Sequence, residues 1–140
     1  MVRLAALLVL AIGVWVAQPA TLALAKVAQF RTPSGNIGCV AFTDHHTRYV
    51  RCDIGNKSWR GPKRPASCPL DYGNSFTMAP TRRPVWTCHG DTALGAGRVL
   101  RYGATWHWGP FTCASRVRGL TCTNRAGHGF FLSRQRYRIF

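Results

Sequence analysis

The chain has 140 residues, of which 19 are lysine or arginine and only four are acidic, for a formal charge of +15. The acids are Asp44, Asp53, Asp71 and Asp91, with no glutamate, so a pair of carboxylates flanking a scissile glycosidic bond is hard to assemble among so many arginines. The imbalance points to an anionic neighbourhood, whether nucleic acid, anionic lipid or acidic polymer, although net charge alone names no partner.

Residues 1–25 have the three parts of an export leader. Arg3 gives the positive start, Leu4 to Ala17 is an apolar run too short to span a bilayer comfortably, and Ala23-Leu24-Ala25 offers the small residues that a signal peptidase reads. Cleavage after Ala25 is expected to leave Lys26 first and one domain over residues 26–140. Without Arg3, 18 basic residues face the same four acids, a charge of +14. No later stretch is apolar for long enough to cross a membrane. The expected product is secreted or associated with the cell envelope, monomeric, and without a transmembrane span after cleavage.

All six cysteines, Cys39, Cys52, Cys68, Cys88, Cys113 and Cys122, follow the leader. An even count in a short exported chain reads as a disulfide framework, because oxidising compartments let bridges persist.

The mature chain reads as short strands and turns. Thr32-Pro33-Ser34-Gly35-Asn36 is a turn, with proline presetting the backbone and glycine permitting the exit. Ile37 to Phe42 and Tyr49 to Ile54 read as a hairpin. Pairing Cys39 with Cys52 aligns Val40 with Arg51, Ala41 with Val50, Phe42 with Tyr49 and Thr43 with Arg48, with the tip at Asp44–Thr47. Ile37, Cys39 and Ala41 then share one buried face with Val50, Cys52 and Ile54. Arg60 to Pro84 carries five prolines and several basic residues. Proline donates no ladder hydrogen bond, so this segment is expected to be irregular loop or edge, tied down by Cys68–Cys88.

Arg98 to Tyr102 and Trp106 to Ala114 read as further strands. Phe111-Thr112-Cys113 and Leu120-Thr121-Cys122 form a second hairpin around Arg118-Gly119, again with its apolar residues on the cysteine face. Phe130 to Leu132 reads as a last buried strand. Arg134 to Phe140 is either an edge strand or a short helix capped by Ser133. The two cysteine hairpins are weakly alike, through internal duplication or through the same physics acting twice. The expected bridges are Cys39–Cys52, Cys68–Cys88 and Cys113–Cys122, the second resting on exclusion. The fold class is all-β, a small disulfide-stapled domain of β-hairpins with a Pro-rich basic loop.

Four blocks carry a resemblance: Thr32-Pro33-Ser34-Gly35-Asn36-Ile37-Gly38-Cys39, Val50-Arg51-Cys52-Asp53-Ile54, Gly119-Leu120-Thr121-Cys122-Thr123-Asn124, and Gly127-His128-Gly129-Phe130-Phe131-Leu132-Ser133-Arg134. Together they resemble a family of small exported actinobacterial proteins classed as a domain of unknown function. The resemblance spans most of residues 30–140. It implies a compact secreted β-domain with paired cysteines and supplies no catalytic residues.

The chemistry on offer is thin. His89-Gly90-Asp91 with His107 or His128 has metal-ligand residue types, but no Cys-x-x-Cys or His-Glu-x-x-His spacing is present, and no metal or other cofactor is expected. A Gly-x-Ser-x-Gly elbow is missing, and an oxidised framework leaves no nucleophilic thiol. The strongest enzymatic reading is a small secreted ribonuclease-like hydrolase, with His107 and His128 as acid and base and arginines holding phosphate. Binding is favoured over catalysis. Aromatic rings among arginines can stack on bases or sugars while the cations take phosphate or carboxylate, although tryptophans in a small β-domain are often core. The candidate binding residues are Trp106, Trp108, His128, Arg134, Arg136 and Arg138. The last three share one face if the tail is extended. The expectation is a non-enzymatic binding protein engaging an anionic polymer or an acidic protein. Its alternatives are the ribonuclease-like hydrolase and an inhibitor of a foreign enzyme such as a lysozyme.

Overall fold

The computed structural model describes residues 24–140. The leader expected over residues 1–25 lies, but for Leu24 and Ala25, outside the described residues. Among the described residues, eleven strands form two sheets. The first sheet contains β1 (Lys26–Arg31), β2 (Ile37–Thr43), β3 (Arg48–Ile54), β4 (Ser75–Met78), β5 (Val85–Trp86) and β6 (Arg98–Val99), in the order β5-β4-β3-β2-β1-β6. The second contains β7 (Thr105–Trp108), β8 (Phe111–Arg116), β9 (Gly119–Asn124), β10 (Gly129–Leu132) and β11 (Tyr137–Ile139), in the order β11-β10-β9-β8-β7. All pairings are antiparallel except β1 with β6. No helix among the described residues is long and apolar enough to cross a membrane.

The β2–β3 hairpin has the register that the cysteine pairing demands, from Ile37 opposite Ile54 through Cys39 opposite Cys52 to Thr43 opposite Arg48. The reason is the period of two. A slip of one residue would move both cysteines and the aliphatics to the outer face. Cys113 and Cys122 are likewise directly opposed across β8 and β9. Both bridges span a Cα separation of 4.1 Å and lie buried in the core. The third bridge is Cys68–Cys88, so the three pairs are those expected from the hairpin argument. Each closes a loop of 9 to 20 residues, which restricts the unfolded chain by about 3 kcal/mol apiece.

The two sheets are built on one plan. Across the first runs the row Phe30–Cys39–Cys52–Phe76–Trp86. Across the second runs Trp106–Cys113–Cys122–Phe130–Ile139. The rows share one core, and two of the equivalent pairs touch. Phe30 meets Trp106 at 4.8 Å between ring centroids, and Phe76 meets Phe130 at 5.3 Å. The likeness of the two cysteine hairpins therefore extends through five strands of each sheet. With the β1–β2 and β8–β9 turns at one end, this shared connectivity is the arrangement that an approximate twofold axis through the core produces.

Three expectations change. Residues 60–84 are not all irregular. β4 lies between Pro69 and Pro80, pairs with both β3 and β5, and buries Ser75, Phe76 and Met78. The prolines bound this strand without entering it, so its ladder stays intact. Trp106 to Ala114 is not one strand. The chain reverses at Gly109-Pro110, where Gly109 has φ of 53°, and Trp108 comes to lie opposite Phe111. The tail is neither helical nor fully extended. Ser133 and Arg136 close a tight turn through both backbone and hydroxyl hydrogen bonds, and only Tyr137–Ile139 forms the edge strand.

Candidate functional site

One end of the sandwich carries a cleft of about 560 Å³. Its walls come from both sheets. The first sheet supplies the β1–β2 turn (Thr32 to Asn36), Gly55 and Asn56 after β3, and Leu94. The second supplies Tyr102, the β8–β9 turn from Arg116 to Gly119, and the turn from Ser133 to Gln135. Three arginines, Arg116, Arg118 and Arg134, line this space with no carboxylate among the lining residues.

Local chemistry fixes each wall. Thr32 closes the β1–β2 turn: its N–H donates to the Ile37 carbonyl at 2.9 Å, and its hydroxyl lies 3.3 Å from both the Ile37 N–H and the Ile37 carbonyl. The Asn36 side chain clamps the next loop reciprocally. Its amide donates to the Asn56 carbonyl at 2.9 Å, and its oxygen accepts from the Asn56 N–H at 2.7 Å. Val117 and Arg118 form a two-residue turn between Arg116 and Gly119. Gly119 is required there, with φ of 148° and no room for a Cβ against the Leu132 carbonyl. Arg116 is pinned by donation to the Ser115 carbonyl at 2.8 Å and the Ala104 carbonyl at 3.2 Å. Arg118 and Arg134 are exposed.

The wall carrying Leu94 is held by a buried polar cluster on the outer face of β3. Arg51 donates to both oxygens of Asp53 at 2.9 and 2.7 Å, to the Asp91 carboxylate at 2.6 Å and to the Asp91 carbonyl at 3.0 Å. Asp53 also accepts from the Ser75 hydroxyl at 2.6 Å and the Ala93 N–H at 2.7 Å. Gly38, opposite Asp53 on β2, leaves space for the Ala93 carbonyl that any Cβ would occupy. Arg51 thus draws the loop from Asp91 to Leu94 onto the sheet. It also makes both ion pairs found among the described residues. Every other lysine and arginine there, including the three in the cleft, is free of a carboxylate partner.

The residues singled out from sequence do not converge on one place. Arg134 lines the cleft, and its carbonyl accepts from the Ser58 N–H at 2.8 Å. Arg136 lies over the Phe131 ring and Arg138 over the Phe140 ring, at 5.4 and 4.8 Å. Because the turn ends at Arg136, the three do not form a row along one strand. Trp106 is 5% exposed and belongs to the core. Trp108 stacks parallel to it at 6.1 Å and donates its indole N–H to Thr43 at 3.2 Å. His128 sits in the β9–β10 turn, held by its backbone to Asn124. Trp108 and His128 are at the end opposite the cleft, where β7 meets β8 and β9 meets β10. His107 is on the outer face of β7, 3.1 Å from the Thr112 hydroxyl. Both ring nitrogens of His89 are engaged, by the Asp91 carbonyl and the Asn74 side chain. No group of three potential metal ligands occurs among the described residues.

Asn36, Asn56, Arg116 and Arg118 were not singled out from sequence as binding residues. The turns that carry two of them, Thr32–Asn36 and Arg118-Gly119, were visible. Their meeting was not, because it needs the two sheets face to face. No curated protein and no solved structure matches the chain. The match to a family of unknown function, DUF6636, runs over residues 8–140, and the chain belongs to that family.

Proposed function

We propose that the chain is a secreted, non-enzymatic binding protein of the cell envelope or extracellular space, whose end cleft takes an acidic polysaccharide. The observation that carries this reading is the convergence of Arg116, Arg118 and Arg134 on one cleft with no carboxylate to neutralise them. Like charges held together repel, and an anion relieves that repulsion. Two features favour sugar over nucleic acid. The remaining lining is rich in hydroxyls and amides, from Ser34, Asn56, Tyr102 and Gln135. The four described tryptophans, which could stack on bases, are in or against the core instead. The three bridges suit an oxidising, extracellular setting.

A ribonuclease-like reading is disfavoured by geometry. His107 lies opposite Thr112, Thr112 opposite Thr123, and Thr123 opposite Gly129, next to His128. Three strand spacings of about 4.8 Å put the two backbones roughly 14 Å apart, too far for one proton-transfer site.

The test is retention on heparin over a salt series, with poly-uridylate RNA in parallel. Arg118→Ala with Arg134→Ala is expected to weaken heparin binding about tenfold, equivalent to about 1.4 kcal/mol. Arg60→Ala with Arg64→Ala, on the Pro-rich loop, should change it less than twofold. Equal losses from both pairs would leave only diffuse charge. Stronger retention by RNA, or RNA cleavage abolished by His107→Ala, would reverse the choice of partner or of class.

A further inference from the structure

The approximate twofold axis that relates the sheets also exchanges the two ends of the sandwich, and the geometry points to a second, weaker anion site at the end opposite the cleft, making the domain bivalent for an acidic polysaccharide. The inference rests on the reading of the cleft given above and extends it.

The correspondence runs loop by loop. The β8–β9 turn of the cleft is matched by the β2–β3 turn, Asp44 to Thr47. The turn from Ser133 to Arg136 is matched by the β4–β5 connection from Ala79 to Pro84. The loop after β3 is matched by the β9–β10 turn. The ties between sheets repeat as well. At the cleft, the Ser58 N–H and the Trp59 indole reach the carbonyls of Arg134 and Ser133, both at 2.8 Å. At the other end, the Asn124 amide reaches the carbonyls of Ala79 and Arg82 at 2.9 and 2.8 Å. At the cleft the segment just after the third strand of one meander, and at the other end the last residue of the third strand, is fastened to the turn that follows the fourth strand of the other meander.

The equivalent position is concave. A smaller cleft of about 200 Å³ is lined by the β2–β3 turn, Arg48, Pro80 and Arg125. Arg48 and Arg125 are exposed and have no ion pair, so two unneutralised arginines again border one hollow. Asp44 also lines it, but its carboxylate is committed to the N–H groups of His46 and Thr47 within its own turn. That carboxylate and the smaller volume make this site the weaker one. Strands of six or seven residues separate the ends by about 20 Å at 3.4 Å per residue, so two short ligands can bind without touching. A long polyanion would be held at both ends, or two chains of it would be joined.

Isothermal titration with a heparin-derived tetrasaccharide measures the number of sites directly. Two ligands per wild-type chain are expected, one tighter than the other. Arg48→Ala with Arg125→Ala should leave one, the tight site. Arg118→Ala with Arg134→Ala should leave the weak one. With full-length heparin, the wild type should scatter light near equimolar mixing, and each double variant should scatter markedly less. One ligand per wild-type chain, lost with Arg118→Ala and Arg134→Ala, would overturn the second site while leaving the cleft reading intact. Absence of binding in all forms would overturn both.

Discussion

Arg51 differs from the other arginines of the described chain in that its charge is spent inside the fold. It is buried on the outer face of β3, and Asp53, fully buried, receives it with two hydrogen bonds. Removing one partner of such a pair costs more than the pair itself contributes, because the other charge stays buried and unpaired. Asp53→Ala would also strip acceptors from the Ser75 hydroxyl and the Ala93 N–H. It is therefore expected to lower stability by about 3–5 kcal/mol, read from urea unfolding, and to loosen the cleft wall at Leu94. Asp91 is the exposed partner of the same guanidinium. The Arg51 hydrogen bond, with its charge, holds the Asp91 carboxyl below its ordinary value of 3.8. A carboxyl depressed in the folded state contributes stability that is present above its unfolded value and lost as pH falls through its folded value. Thermal unfolding over an acid series should thus show stability dropping below pH about 4, with Asp91→Asn removing part of the slope. An unchanged slope in that variant would mean that Asp91 contributes nothing through Arg51.

Among the elements, the three bridges differ in setting. Cys39–Cys52 and Cys113–Cys122 form the centre of the two facing rows, whereas Cys68–Cys88 ties a surface loop and leaves Cys88 exposed. Reaction with a mild reductant followed by alkylation and peptide mapping should label Cys68 and Cys88 first. Replacing both with serine should cost less stability than Cys39→Ser with Cys52→Ser, which also leaves hydroxyls in an apolar core. The same distinction explains what could be read in the sequence. The β2–β3 hairpin was legible to the residue because one bridge, one turn and one alternating pattern all demanded a single register. β1 was not, because Lys26-Val-Ala-Gln-Phe-Arg directly follows the leader's small apolar residues and buries only Phe30 fully. β4 was hidden by the prolines on either side, and the β7–β8 turn by the aromatic residues that flank Gly109-Pro110. The cleft itself was illegible for a different reason. Asn36 and Arg118 are more than eighty positions apart, and only the packing of one sheet on the other brings their turns to one end.

At the scale of the whole molecule, the repeated five-strand plan places equivalent loops at opposite ends, and the sequence then makes the ends unequal. One end receives three arginines and no acid; the other receives two arginines beside Asp44. A charge of +15 over the full chain attracts polyanions from any direction. In the proposed function, that attraction ends at a particular place, the cleft. Amide chemical-shift mapping of the folded domain during titration with the heparin tetrasaccharide decides this most directly. Asn36, Asn56, Arg118 and Arg134 are expected to shift first and most, at the lowest ligand concentrations, with Arg48 and Arg125 following later. Simultaneous, comparable shifts at arginines all over the surface, including Arg60, Arg64 and Arg101, would mean that the charge is diffuse and that the cleft is no site.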